Sequence, residues 1–183
     1  MGWQRAEGTE QEFQGVRALL VRSEREAPLG HNWDTRRWEG RRFYSDQPAG
    51  NPAWHRDLYV WRADSGAVLA AVHPEGEGWA LQVAMESRDL EEPALALIEE
   101  QAETVEIEAR ENDSFRPALL KRRGYQLTTQ VGYVRRMVVP RDPPRPSMPS
   151  GYTLRPLDPE RDTAGLARLL NAAFGRDFHG PEE

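Results

Sequence analysis

The sequence predicts a mixed α/β fold whose sheet is largely antiparallel and flanked by helices. Three observations carry this reading. Apolar residues recur at helical spacing near the N-terminus and again after residue 93. Between these stretches, three short apolar runs are joined by turn residues, the pattern of an antiparallel meander. Helix and strand patterns then alternate to about residue 139, giving the order α-α-β-β-β-α-β-α-β-β.

The elements follow in order. Thr9-Glu10-Gln11-Glu12 has the form of a capping box, with Thr9 as cap and Glu12 reaching back. Phe13, Val16, Leu19 and Leu20 share one helical face, and Pro28 and Gly30 stop that helix by about Ala27. Residues 31–56 are rich in Trp and Arg. A second short helix is expected over 34–42, before the turn residues Gln47-Pro48-Ala49-Gly50-Asn51-Pro52. Leu58-Tyr59-Val60-Trp61 begins the strands, Ala63-Asp64-Ser65-Gly66 turns the chain into 68–72, and Glu75-Gly76-Glu77-Gly78 turns it into 79–85. Gly76 and Gly78 precede a strand rather than a helix, so they mark a hairpin tip and not a phosphate loop.

Pro93 suits the first position of a helix that Ala94, Leu97, Ile98 and Ala102 continue. Residues 105–109 alternate as a strand. Asn112-Asp113-Ser114 introduce a helix over 115–123 that stops at Gly124, and two strands follow near 125–130 and 133–139. Pro140, Pro143, Pro144, Pro146 and Pro149 then make 140–150 a stiff linker. Beyond it, 152–156 reads as a strand and Asp158-Pro159 as a helix entry. Leu166, Leu169, Leu170, Ala173 and Phe174 form the apolar stripe of that helix. The expected organisation is a domain over 1–139, a linker over 140–150, and a strand–helix start of a second unit over 151–183.

Composition excludes several function classes. The 183 residues contain no cysteine, which removes disulfides, thiolate metal sites and a cysteine nucleophile. His31, His55, His73 and His179 form no i, i+4 pair, so no metal site is expected. No Gly-x-Ser-x-Gly is present to suggest a hydrolase elbow. The net charge of −6 carries no nucleic-acid signature, and no apolar run is long enough to span a membrane or act as a leader. A cytoplasmic protein that binds neither nucleic acid nor membrane is the expectation. The charge is uneven: residues 86–113 hold eleven acids against two bases, and 116–145 hold eight bases against one acid. Two solvated faces that partly neutralise each other explain this more simply than a cationic strip for an anionic ligand.

The stretch ALLKRRGYQLTTQVGYVRRMVV at 118–139, with Arg122-Arg123-Gly124-Tyr125 ending a short helix before a strand pair, resembles the GNAT (GCN5-related N-acetyltransferase) superfamily over roughly 10–139. The tail GYTLRPLDPERDTAGLARLLNAAF at 151–174 resembles the start of a second such unit, as in tandem GNAT proteins. The resemblance implies an acetyl-CoA site beside the strand 79–85 and the loop entering the next helix. Val83, Met85, Arg88 and Asn112 are the cofactor-binding candidates it supplies. It also implies that backbone N–H groups at a helix N-terminus receive the pyrophosphate, where the dipole favours anions. Catalysis there is chiefly the positioning of an amine against the thioester, with an acid and a base for proton transfer.

Three positions depart from the family's pattern. Arg88 fits the first position of the loop, but Glu91 and Pro93 stand where small residues belong. A carboxylate beside a phosphate is repelled: two unit charges ~4 Å apart cost about 4 kcal/mol at an effective dielectric of ~20. Pro93 has no N–H to donate. The family's acidic Tyr falls on Leu120. Glu106 and Glu108 are the candidate bases, two apart on one strand face, though a solvent-facing acidic pair is the more ordinary reading.

At the level of the whole protein, the resemblance implies N-acyl transfer from acetyl-CoA to a primary amine on a small molecule or peptide. The alternative is a non-catalytic GNAT-like module that serves dimerisation or scaffolding. A homodimer formed through 151–183 is the expected partner arrangement.

Overall fold

The computed structural model describes residues 2–27, 33–44, 50–129, 132, 141–142 and 147–175. The chain divides into two compact units, Met1–Leu127 and Thr128–Glu183. The first is a mixed α/β body with a four-stranded antiparallel sheet in the order β1 (Gln4–Arg5), β2 (Tyr59–Arg62), β3 (Val68–Glu75), β4 (Gly78–Val83). Five α-helices lie among the described residues of the whole chain: α1 (Glu10–Glu26), α2 (Thr35–Phe43), α3 (Glu91–Gln101), α4 (Phe115–Arg122) and α5 (Pro159–Phe174).

Helix α1 starts where the capping box places it. The Thr9 hydroxyl accepts the Glu12 N–H at 3.3 Å, and the Glu12 carboxylate accepts the Thr9 N–H at 2.9 Å. Phe13, Val16, Leu19 and Leu20 are buried on one face. Each such side chain contributes about 1.5–3 kcal/mol on leaving water. Helix α2 is capped by Asp34 and buries only Trp38. The two-residue tip between Glu75 and Gly78 places Gly76 at a φ of +61°, a conformation open to glycine at little cost.

Period-2 alternation divides the sheet into two faces. Val60, Ala71 and Ala80 pack with Phe13, Leu19, Leu20, Trp33, Trp38 and Trp54 on the α1/α2 side. Ala70, Val72, Leu81 and Val83 pack with Leu95, Ile98, Leu119 and Leu120 on the α3/α4 side. Trp38 stacks on Phe13 with ring centroids 5.1 Å apart, and its Nε1–H donates to the Phe13 carbonyl at 3.1 Å. The Arg42 guanidinium covers the outer face of Phe13 at 4.5 Å. Trp33, Trp38 and Trp54 of the aromatic, Arg-rich stretch are thus core, whereas Phe43 and Tyr44 are exposed and Arg37, Arg41 and Arg42 are half-buried.

Several expectations differ from what forms. Segment 105–109 makes a single parallel bridge, Trp79 with Ile107, rather than a strand. Among the described residues its alternation reflects half-burial without a ladder beyond that bridge. Residues 125–129 form no strand, and 133–139 lie outside the described residues. In the second unit, 152–158 forms no strand either. Tyr152 and Leu154 are exposed there, because alternation alone makes no ladder without a neighbour. Helix α5 forms over its expected span, capped by Asp158, with Arg155 paired to Asp162 at 2.6 Å. Pro93 occupies the third position of α3 instead of the first, because two 3₁₀ turns over Met85–Leu90 run straight into the helix.

Candidate functional site

The resemblance directs attention to the end of β4 and the start of α3. The β4 edge there is distinctive. Trp79 donates its N–H to the Glu106 carbonyl at 2.9 Å, and among the described residues the parallel pairing stops at that bridge. A Cβ on Gly78 would lie 3.0 Å from the Glu106 carbonyl oxygen, so glycine permits this approach. Backbone groups alternate in direction along a strand, so those of Leu81 and Val83 face the same side as those of Trp79. On that side the Val83 carbonyl accepts the Gln82 side-chain amide at 3.0 Å. The Val83 side chain is buried against the α3 layer, whereas Met85 is exposed.

Beyond β4 the chain builds an ion network. Asp113 precedes α4 and caps it, accepting the N–H groups of Phe115 at 2.9 Å and Arg116 at 3.3 Å. The same carboxylate accepts the Arg88 Nη2 at 2.8 and 2.9 Å. Burial pushes the Asp113 carboxyl up, but Arg88 and the two N–H groups outweigh it and hold the group below its ordinary value. Arg88 Nε lies 2.8 Å from Glu91 Oε1, a close ion pair without hydrogen-bond alignment. Glu91 in turn accepts Arg116 Nε at 2.9 Å and Nη2 at 3.3 Å. The Glu91 and Arg116 side chains are only 1% and 2% exposed. The Arg88 guanidinium also lies over the Phe115 ring at 4.8 Å.

This corrects the expected orientation of Glu91. Its carboxylate does not stand at the mouth of an anion site; it points inward, neutralised by two arginines. Arg88 is committed to Asp113 and Glu91. At the start of α3 the Glu91 N–H bonds the Arg88 carbonyl, and Pro93 has no N–H. These residues do not fit a CoA pyrophosphate. Asn112 is exposed beside the network.

The other candidates are dispersed. Glu108 is paired with Arg37 at 3.2 Å, and Arg37 also reaches Glu75 at 2.8 Å. Glu106 is exposed, and its backbone carbonyl serves Trp79. Leu120 is buried among the α3/α4 residues and has no proton to give. The Tyr125 hydroxyl donates to Glu99 at 3.1 Å, and burial together with that carboxylate pushes it up to about 12. The opposed charge runs meet between helices: Arg122 pairs with Glu92 at 3.3 Å and Arg123 with Glu99 at 3.0 Å. Among the described residues no three His, Asp or Glu side chains are grouped to hold a metal ion, and no helix is long and apolar enough to cross a membrane.

Sequence reasoning missed Arg116 as the centre of this region. A signal was present: Arg116 sits in the first turn of α4, where the helix dipole disfavours a cation unless an anion faces it. Compared with known proteins, the chain matches no family model, no curated protein and no solved structure.

Proposed function

We propose that Met1–Leu127 is a non-catalytic GNAT-like module, and that the protein uses it as a scaffold rather than as an acyltransferase centre. The buried Glu91–Arg116 pair, with Arg88 held on Asp113, carries this reading. An anion site needs donors that are free and pre-aimed. Here both guanidiniums are spent on internal carboxylates, and the adjoining helix start has its first N–H engaged. Dimerisation of that module draws on α5 in the second unit, whose Leu166 and Leu169 are exposed. Such a stripe is stabilised by pairing with another surface, and a second copy of the chain is the proposed partner.

Two measurements on the full chain test this. Acetyl-CoA at ~100 Kd adds about 2.7 kcal/mol of stability to a protein that binds it. No rise in melting temperature is expected up to millimolar ligand, and a clear rise at micromolar ligand overturns the reading. Light scattering is expected to give a dimer that Leu169→Glu converts to a monomer. A monomeric wild type removes the dimer scaffold.

One observation favours the second reading, N-acyl transfer by the whole protein: the parallel bridge at Trp79 and Ile107, beyond which β4 pairs with no further strand on that side among the described residues. That reading requires the phosphate contacts to come from residues other than 86–93.

A further inference from the structure

Helix α2 is attached to the sheet in an unusual way. Trp38 is its one buried residue. Arg42 and Glu39 tie it to Glu10 and Arg17 of α1, and two further arginines face the sheet. Arg41 donates to three backbone carbonyls: Trp54 at 2.7 Å, Pro74 at 3.0 Å and Arg56 at 2.9 Å. Arg37 reaches Glu75 and Glu108. Both sets of contacts converge on the end of β3, where His73 lies.

His73 is 1% exposed. Its ring meets the Trp33 ring edge-on at 4.4 Å and lies 6.0 Å from Trp38. Nδ1 is 2.6 Å from the Pro74 carbonyl oxygen, which can only accept, so Nδ1 carries the proton. That carbonyl is shared with Arg41. Among the described residues, the other ring nitrogen, Nε2, is buried with no hydrogen-bond partner. It is the one place on this imidazole where a proton can add, and no described residue accepts a hydrogen bond from it there.

Among the described residues, the charged groups around the ring are few. Arg37 and Arg41 face it from α2, and both oppose its protonation. Glu75 on β3 is held by Arg37, as is Glu108 on the segment after α3. Asp57, before β2, acts on Arg41 and pairs with Arg5. From β4 the residue opposite His73 is Ala80, and from α1 the same aromatic cluster receives Phe13. Neither can titrate.

We propose that His73 is an acid-sensitive latch: a proton on Nε2 places a third cation beside Arg37 and Arg41, and the α2 segment with Trp33 then opens from the sheet while the α3 side stays packed. Burial, then Arg41 and Arg37, push the imidazole in the closed state down to about 3, against an ordinary value of 6.5. A depressed value in the closed state means that the latch holds fully above pH 6.5 and weakens as pH falls toward 3. One proton taken up on opening makes the opening constant about tenfold larger per pH unit below 6.5, or about 30-fold larger at pH 5 than at pH 7.5.

Hydrogen-exchange mass spectrometry on the full chain tests this, with rates normalised to unstructured-peptide exchange at each pH. Residues 33–44 should open about 30-fold more readily at pH 5 than at pH 7.5, while α3 changes far less. In His73→Gln, which cannot take up the proton, that pH response should flatten. An unchanged response in the variant, or an equal response in α3, overturns the latch. If His73→Gln does not fold, ring-nitrogen NMR of the wild type decides. A His73 ring that keeps its neutral Nδ1–H form in the closed state at pH 5 supports the proposal. A ring that titrates near 6.5 in the closed state overturns it.

Discussion

The Glu91 carboxylate and the Arg116 guanidinium meet at 2.9 Å with both side chains almost wholly inside the protein. A pair so placed has a characteristic energetic asymmetry. Removing one partner leaves a buried charge uncompensated and costs about 3–5 kcal/mol, whereas replacing both by apolar groups of similar volume is often neutral or stabilising. Glu91→Leu and Arg116→Met should therefore each destabilise the protein by about that amount, and the double variant should recover most of the loss. Urea unfolding of the four proteins measures this. A double variant as unstable as the sum of the singles would mean that the two side chains do not act as a pair. Glu91→Leu also removes the 2.8 Å Arg88–Glu91 contact, in the single and the double variant alike, so the coupling term of the cycle reports the Glu91–Arg116 pair.

Glu12 makes a second prediction, this one with a pH dependence. Its carboxylate accepts the N–H groups of Glu7 at 3.1 Å, Gly8 at 2.8 Å and Thr9 at 2.9 Å. Burial pushes the carboxyl up, but these hydrogen bonds outweigh burial and hold it below its ordinary 4.5. A carboxyl depressed in the folded state stabilises the fold above its unfolded value, and that contribution is lost as pH falls through the folded value. Glu12→Gln should cost about 0.5–2 kcal/mol at pH 7, the range for a helix cap. The gap to the wild type should narrow steadily from pH 4.5 to pH 2. A gap of constant size across that window would assign the effect to shape rather than charge.

The contrast between these two carboxylates shows what a sequence makes legible. The hydrogen-bond partners of Glu12 lie within five positions of itself, so that set follows from helix-start geometry, and α1 is readable from Thr9 onward; its distant ion pair with Arg62 does not. Glu91 acts on Arg116, 25 positions away. Spacing along the chain says nothing about which residues meet at that separation, so Glu91 reads as an intruder in an anion loop when it is half of an internal pair. The same limit applies to alternation. At 58–83 the alternating runs lie next to one another through short turns, and strands form. At 105–109 and 152–155 the alternation is present, but a ladder needs a neighbour that local pattern does not supply.

Gly8 yields the last prediction, because two independent constraints act on it. Its φ is +88°, a region that L side chains enter at a cost of roughly 1–2 kcal/mol. A Cβ built there would also lie 2.5 Å from Nδ1 of His55 and 2.8 Å from Cε1. The imidazole cannot yield freely, since its ring stands edge-on to buried Trp54 at 5.5 Å. Gly8 donates to Glu12 as well, so a displaced backbone would loosen the α1 cap. Gly8→Ala should therefore lose the backbone term plus an overpacking term of about 1–3 kcal/mol. Measured in a His55→Ala background, the same change should lose only the backbone term, because the clashing ring is gone. Chemical denaturation of the four proteins separates the two contributions. If Gly8→Ala costs the same with and without the imidazole, the close approach is immaterial and the positive φ alone requires glycine.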